Sequence, residues 1–308
     1  MKSFLFLSIF LTSLYSIEPI QPLPLILDDI NLNKAKLGRV LFSDPLLSKD
    51  GTVSCNSCHD LSLGGADSRD VSLGVENKKG NVQSPTVFNA RYNFKQFWNG
   101  RADTLKEQAD GPLHNPVEMA MDKNAIEKYL NSSDFYKKQF KKVYATSSIL
   151  YKNAIDAIVE FEKALVTPDS RFDQFLYKKI ALNDNEHKGY VLFKTLGCIS
   201  CHNGINVGGN SFQKFGLMED VPHIMSTPDR YAITKNVRDK NIFKVPTLRN
   251  IEYTAPYFHD ASSKTLYEAV EDMGHLNLGI ALEEAEIQEV LAFLKSLSGD
   301  QPTILKEK

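Results

Sequence analysis

Two short motifs with paired cysteines carry the strongest chemical signal in this chain of 308 residues. Both have the pattern C-x-x-C-H, and together they use all four cysteines: the first contains Cys55, Cys58 and His59, and the second contains Cys198, Cys201 and His202. This pattern is the attachment site of c-type haem, because two thiols at this spacing hold one edge of the porphyrin while the adjacent histidine reaches the iron. The sequence therefore predicts two covalently bound haem c groups, with one histidine of each motif as an iron ligand.

Two other uses of paired cysteines fit this chain less well. A thioredoxin-like redox pair needs no histidine and lies near a βαβ pattern, which the sequence does not contain. A zinc site places its histidine farther from the cysteines and its two halves closer together. Because the motif occurs twice in a chain that begins with an export signal, we interpret it as a haem motif.

The sixth coordination position of each iron decides what that haem does. A methionine ligand raises the reduction potential, whereas an open position permits chemistry on a small molecule. After the second motif, spacing alone does not choose among six candidates: Met218, His223, Met225, His259, Met273 and His275. After the first motif no histidine occurs before His114, and the only methionines before residue 167, apart from Met1, are Met119 and Met121. The first haem is therefore the candidate for an open site.

The elements that must position these groups are predicted to be helices, so the fold class is all-α with long irregular loops. Apolar spacing and capping residues predict helices over Leu32–Phe42, from Asp122 through Leu130, from Ser133 through Tyr144, over Ser147–Val166, from Asn183 towards Cys198, and over Leu282–Leu297. Long Gly/Asn/Ser-rich loops cover 60–91 and 203–254, and a buried cofactor would organise them.

A proline after the longest predicted helix indicates a joint between two domains. Thr167-Pro168-Asp169-Ser170 ends the helical pattern. We therefore expect a first domain over 17–166 and a second over 167–308, each with one haem motif. Residues 1–16 have the basic, apolar and small-residue order of a secretory signal peptide, which predicts export to the periplasm; an uncleaved membrane anchor stays open as an alternative.

Composition excludes several classes of protein. The chain has 36 Lys+Arg against 38 Asp+Glu, a net charge of -2, so it lacks the basic excess that nucleic-acid binding needs. Four cysteines are too few for a disulfide scaffold, and 42% hydrophobic residues exclude a mainly disordered chain.

Three further stretches give the chain a family resemblance. Residues 96–119 read QFWNGRADTLKEQADGPLHNPVEM, residues 244–260 read KVPTLRNIEYTAPYFHD, and the loop after the first motif reads SLGGADSRDVSLG. From about Leu27 to Gly299 the chain resembles the bacterial dihaem cytochrome c peroxidases. This resemblance implies two cytochrome c-like domains, a first haem that reduces hydrogen peroxide, and a second haem of higher potential. It also implies electrons from a small periplasmic donor (a monohaem cytochrome c or a cupredoxin) and a calcium-bound homodimer.

The resemblance assigns catalytic roles to three residues. Glu118, in NPVEM, matches the carboxylate that moves a proton between the two peroxide oxygens. Gln108 matches a polar residue of the same pocket, and Trp98, the only tryptophan, matches the residue between the two haems. Met273 matches the axial ligand of the second haem.

Further residues are implied to hold the cofactors. Arg101, Arg249 and His259 lie in family motifs near the haems, and both arginines are expected to pair with haem propionates. Thr254 and Pro256 match calcium ligands that act through backbone carbonyls, a donor type suited to Ca²⁺. Gln83 stands where the family usually has Asn, so calcium binding is expected to be weaker or lost.

One departure from the family pattern concerns activation. Many members carry a histidine sixteen residues after the first haem-ligating histidine, and it blocks the iron until the other haem is reduced. Here this position is Val75, and no histidine occurs from Asp60 to Leu113. Because valine cannot ligate iron, we expect peroxidase activity without reductive activation.

Two alternatives from other functional classes stay open. A dihaem enzyme that oxidises a protein partner, like the tryptophylquinone-forming relatives, also lacks the blocking histidine, but Met273 replaces its usual tyrosine ligand. An electron-transfer dihaem cytochrome would need two six-coordinate irons and no catalytic carboxylate, which Glu118 argues against.

Overall fold

The computed structural model describes residues 18–219 and 227–306, and within these ranges the fold is helical with one two-stranded sheet. The helices are α1 (Leu32–Phe42), α2 (Cys55–Cys58), α3 (Leu105–His114), α4 (Lys123–Ser132), α5 (Asp134–Tyr144), α6 (Tyr151–Ala164), α7 (Arg171–Leu176), α8 (Asp184–Thr195), α9 (Tyr231–Thr234), α10 (Leu266–Met273), α11 (Glu284–Ser296) and α12 (Thr303–Lys306). The strands β1 (Phe212–Lys214) and β2 (Ile242–Lys244) pair antiparallel, with Gln213 opposite Phe243. The all-α fold class is therefore confirmed. The predicted signal peptide, His223 and Met225 lie outside the described residues.

Capping residues set several helix starts as the sequence predicts. Asp122, Ser133 and Asn183 each accept a backbone N–H of the first turn of α4, α5 and α8. The prediction for α6 was wrong at its start, because the chain stays extended through Leu150. There the Ile149 N–H donates to Asn131 and the Tyr151 N–H donates to Glu127, so side chains of α4 hold these backbone groups.

Two separate hydrophobic cores give the chain two units. The first unit is built on α1 and α3–α6, and the second on α7, α8, α10 and α11. Each is closed by a tight crossing of its first and last long helices. A Cβ at Gly38 of α1 would lie 1.9 Å from the Ala157 carbonyl oxygen, and one at Gly189 of α8 would lie 1.8 Å from that of Glu289. Glycine at these two positions lets the helix backbones approach and hold each haem motif in the same way.

The two ends of the chain cross the predicted boundary between residues 166 and 167. Ile20 belongs to the second core, and the Gly204 N–H donates to the Pro19 carbonyl, so the amino-terminal arm packs on the second unit. Ile304 of α12 belongs to the first core, where Arg39 donates to its carbonyl oxygen. Each end of the described chain thus buries an apolar residue in the core of the opposite unit. No helix among the described residues has the length and apolar character to cross a bilayer.

Candidate active site

A single cavity of about 1070 Å³ connects the two cysteine motifs. Its walls include both motif histidines, all four motif cysteines and residues of both units. Small-molecule pockets usually measure about 300–1,000 Å³, so this one is large. The predicted site residues that line it are Gln83, Trp98, Arg101, Gln108, Glu118, Thr254, Pro256, His259 and Met273.

The first motif forms the short helix α2 between a capped start and a buried histidine. Ser54 and Ser57 exchange hydrogen bonds across the first turn, and the His59 N–H donates to the Cys55 carbonyl oxygen at 3.0 Å. Burial raises the pKa of both thiols, Cys55 and Cys58, and lowers the pKa of His59. The thiols are therefore neutral, and the imidazole is in the neutral form that ligates metal.

The second motif follows α8 in a 3-10 turn with the same local pattern. The His202 N–H donates to the Cys198 carbonyl oxygen at 3.0 Å, as in the first motif. Burial lowers the pKa of His202 to about 4 and raises that of Cys198 to about 11. Both motifs thus present a neutral histidine beside free thiols on the wall of the cavity.

These residues fit covalently bound haem. All four cysteines are free, and each motif sets two of them one helical turn apart with a histidine next in the chain. The Nδ1 atoms of His59 and His202 are buried beside backbone groups, those of Pro85 and Gly65 for His59 and those of Val207 and Pro246 for His202, and both histidines line the cavity. The thiols supply the nucleophiles for thioether formation, and the imidazoles supply iron ligands.

A half-buried carboxylate lines the cavity beside the first motif. Glu118 lies in the turn after α3, where its N–H donates to the Asn115 carbonyl and its Oε1 accepts the Asn115 side-chain amide. Burial raises the pKa of this carboxyl, while the positive charge of Arg101 and the Asn115 amide oppose the rise. Glu118 is thus a carboxyl whose proton is retained to higher pH than usual, the property expected of a group that accepts and returns a proton.

The loop after the first motif packs directly on the Glu118 turn. The Val75 N–H donates to the Glu118 carbonyl oxygen at 2.8 Å, and the Val75 side chain is fully buried in the first core. A Cβ at Gly74 would lie 2.1 Å from the Val117 carbonyl oxygen and 2.5 Å from that of Glu118. Val75 is therefore part of the packing that positions Glu118, and it does not line the cavity.

Trp98 joins the two units at the centre of the cavity wall. Its indole Nε1 donates to the Gln83 carbonyl at 2.8 Å, and its own carbonyl accepts the Lys244 N–H at 2.7 Å. Its ring meets the buried His259 ring edge-on, with centroids 6.1 Å apart. The Gln83 N–H also donates to the His259 carbonyl at 2.9 Å. These contacts fix the only tryptophan between the first and second units.

The three residues expected to bind calcium all line the cavity. Gln83 is buried and donates its amide to the Asp67 carbonyl at 3.2 Å, which orients its side-chain oxygen. Thr254 and Pro256 follow on the opposite chain segment. Within the described ranges no group of three His, Cys, Asp or Glu side chains could hold a metal ion, so a cation here would depend on amide and backbone oxygens.

The structure narrows the candidates for the sixth ligand of the second haem. Met273 ends α10 and lines the cavity, and so does His259. Met218 has 60% of its surface exposed, and His275 is also exposed; neither lines the cavity. A π-turn over Gly274–Leu278 follows Met273 directly. The geometry therefore agrees with Met273 as the residue that the family motif selects.

The expected propionate pairing of Arg249 is corrected by the structure. Its guanidinium makes two hydrogen bonds of 3.0 Å to Asp173, and both side chains are fully buried. It also donates to the carbonyl oxygens of Ile205 and Gln21, and it does not line the cavity. Arg249 thus ties α7, the amino-terminal arm and the loop after the second motif together. Arg101 does line the cavity, with its guanidinium 3.3 Å from the centre of the Phe97 ring.

Two buried charged residues on the cavity wall were missed by sequence reasoning. Lys244 lies on β2 within the KVPTLRN stretch, and Glu162 lies on α6 within an apolar helical face. Burial lowers the pKa of Lys244 to about 8 and raises that of Glu162 to about 8. No residue spacing marks them, because their burial depends on the packing of the folded chain around them. The signal available in the sequence was a charged residue at a position whose helical or strand neighbours are apolar.

Comparison with known proteins agrees with this arrangement. Residues 32–181 match the family model described as di-haem cytochrome c peroxidase, and residues 187–298 match that described as cytochrome c. The chain is 48% identical to the cytochrome c551 peroxidase of Nitrosomonas europaea, over 92% of this chain and 85% of that protein. It is 43% identical to the cytochrome c peroxidase Ccp of Escherichia coli K12, over 94% of this chain but only 63% of that protein.

A solved structure gives the same fold over nearly the whole length. It is the crystal structure of a MauG-like protein associated with microbial copper homeostasis, and it is 27% identical to this chain. The TM-score is 0.80, over 94% of this chain and 95% of that one. The helical architecture is therefore shared with this structure.

Proposed function

The chain belongs to the bacterial dihaem cytochrome c peroxidase family, and from this premise we propose that it reduces hydrogen peroxide to water in the periplasm. Its two electrons come one at a time from a small c-type cytochrome or a cupredoxin. The predicted division of labour is that the haem on the first motif, with His59 as ligand, meets peroxide. The haem on the second motif, with His202 and Met273 as ligands, receives the electrons.

The observation that carries this proposal is the position of Glu118. A carboxyl with a raised pKa lies on the wall of the cavity that also contains His59. The haem supplies the iron at which peroxide binds and is reduced. With the haem bound, Glu118 would accept a proton from one peroxide oxygen and return it to the other, so that the second oxygen could leave as water. Two electrons and two further protons from outside complete the reduction of one peroxide to two waters.

Neighbours of Glu118 keep it suited to this double role. The Asn115 amide fixes Oε1, and the positive charge of Arg101 favours the carboxylate. Burial works in the opposite direction, so the carboxyl holds a proton more readily than an exposed one. Gln108 lies on α3, the helix that precedes the Glu118 turn. We propose that its side chain contacts peroxide or the water formed from it.

Electron transfer between the two haems is assigned to the Trp98 region. Its hydrogen bonds to Gln83 and Lys244 and its contact with His259 support a fixed bridge between the units. We also propose that Gln83, Thr254 and Pro256 bind calcium beside this bridge, and that the enzyme works as a homodimer. Chelation followed by activity measurement tests the first, and the mass in solution tests the second.

The packing of Val75 supports activity without reductive activation. Valine cannot ligate iron, and this one is buried in the first core and hydrogen-bonded through its backbone to Glu118. The loop that blocks the iron in many family members is here part of the support of the catalytic turn. We therefore propose that the first haem is open on the Glu118 side when fully oxidised.

Peroxide turnover by the as-isolated, fully oxidised holoprotein tests this function. Reduced small cytochrome c is added without prereduction, and an electron paramagnetic resonance spectrum is recorded alongside. Immediate turnover with a high-spin ferric signal is the expected result. A lag with two low-spin haems would refute the open first haem, and absence of peroxidase activity after reduction with calcium present would refute the function.

The protein-oxidising class is the second candidate, because Val75 stands where the blocking histidine of many peroxidases would be, and that class also lacks this histidine. Met273 on the cavity wall distinguishes the two. A methionine ligand raises the potential of the second haem and suits it to receive electrons from a donor.

A further inference from the structure

Lys244 is a buried cation whose side chain lies on the wall of the cavity. It ends β2, and only 6% of its surface is exposed. Its backbone is held on both sides, because its N–H donates to Trp98 at 2.7 Å and the strand pairs it with Phe212. The backbone of Lys244 is therefore fixed, and its side chain starts from a defined point on the cavity wall.

The ammonium has no counter-charge in the part of the chain that the structure describes. Removal from water is the only effect acting on its pKa, and no carboxylate contributes. An isolated buried ammonium is costly, and proteins pair such a charge with an anion. The two arginines considered for the propionates already have a negative group nearby, since Arg249 pairs with Asp173 and the charge of Arg101 acts on Glu118.

The anion that completes this site must come from the cavity, and a haem brings carboxylates. We propose that the Lys244 ammonium binds a propionate of the haem on the second motif. The choice of haem follows from position: Lys244 lies two residues before Pro246, whose carbonyl is close to the His202 ring. This proposal rests on the haem-binding part of the proposed function. It replaces the pairing that the sequence suggested for Arg249.

A bound cation beside a propionate has a measurable electrostatic effect. Neutralising the propionate makes the surroundings of the iron less negative, which favours the reduced form. Loss of the ammonium should therefore lower the midpoint potential of the second haem. It should also raise the pKa of the propionate, so that its protonated form is seen in the infrared spectrum at higher pH.

Redox titration of holoproteins tests this assignment. Lys244→Met removes the charge, Lys244→Arg keeps it, and Lys240→Met is the matched control, because Lys240 is an exposed lysine four residues away. We expect Lys244→Met to lower the potential of the second haem and to shift its carboxylate band, with wild-type values for the other two variants. Wild-type potentials and spectra in Lys244→Met, or a shift confined to the first haem, would overturn the assignment.

The amount of bound haem distinguishes a folding defect from the loss of the charge pair between Lys244 and the propionate. If Lys244→Met fails to load haem while Lys244→Arg loads normally, the requirement for a cation supports the proposal; failure of both variants counts against it. Peroxide turnover is measured on the same wild-type preparation. Its absence would refute the proposed function, whereas the potential shift would still decide the role of Lys244.

Discussion

The close contact between Gly74 and the Glu118 turn makes a quantitative prediction for Gly74→Ala. The new Cβ would lie 2.1 Å from the Val117 carbonyl oxygen, whereas such contacts are essentially never under 3.0 Å. Relief of this clash requires the turn or the loop to move by about 0.9 Å. A misplacement of about 1 Å at a catalytic group costs roughly 10²-fold in rate, so we expect kcat to fall by about that factor. Overpacking at this contact should also cost roughly 1–3 kcal/mol of stability.

Gly80→Ala is the matched control, because it makes the same change in the same loop. Its Cβ would have its nearest neighbour at 3.5 Å, an ordinary contact with the Ser72 carbonyl oxygen. The assay is steady-state peroxide turnover by holoproteins of equal haem content, with thermal unfolding measured in parallel. Wild-type kcat in Gly74→Ala, or an equal loss in Gly80→Ala, would refute the idea that this loop positions Glu118.

Four other changes test the remaining assignments. Glu118→Gln should lower kcat by about 10²–10⁴-fold, the usual contribution of a proton-transferring group. In the wild type, kcat/KM should fall with decreasing pH through a pKa above 4.5, because burial raises the pKa of Glu118 and its carboxylate is the active form; a limb at or below 4.5 would contradict this. Val75→His places an imidazole in an apolar core at a cost of roughly 1–3 kcal/mol of stability. Turnover should still begin without a lag, because position 75 lies in the first core and does not line the cavity; a lag removed by prereduction would show that the loop can deliver a ligand to the iron. Asp173→Asn leaves the Arg249 guanidinium buried with a neutral partner, so the free energy of unfolding in urea should fall by roughly 3–5 kcal/mol. The haem reduction potentials should not change; a changed potential would indicate that Arg249 does pair with a propionate. Burial raises the pKa of Glu162 to about 8, so between about pH 4.5 and pH 8 the folded chain keeps a proton that the unfolded chain releases. The stability of the fold should therefore decrease as the pH rises from about 4.5 to about 8. Thermal unfolding of Glu162→Gln should show a weaker decrease of stability over the same pH range.

The chemistry of this protein was largely decided by local sequence. A C-x-x-C-H motif needs no distant residue to be recognised, because the two thiols and the histidine lie within one helical turn. Helix starts at Asp122, Ser133 and Asn183 were equally local, since each cap bonds an N–H two or three residues along. The family motif around Glu118 also pointed to a carboxylate, and in the structure Glu118 lines the cavity with a pKa raised by burial.

Roles that depend on contacts between distant segments could not be predicted in this way. The partner of Arg249 is Asp173, 76 residues away, and nothing in the spacing of the two predicts a buried pair. The start of α6 was displaced by side chains of α4, and the exchanged chain ends depend on which core has room for Ile20 and Ile304.

The sequence by itself therefore predicted the cofactor type and the helical fold class, because covalent attachment and helix capping are short-range; the residues proposed to act on peroxide came from the family motifs. Only the tertiary structure decided which charges face the cavity. Lys244 and Glu162 are candidate site residues because both are buried on the cavity wall. Arg249 is not a candidate partner of a propionate, because it forms a buried ion pair with Asp173. Burial and charge pairing are properties of the assembled units, since both depend on what the rest of the chain removes from water.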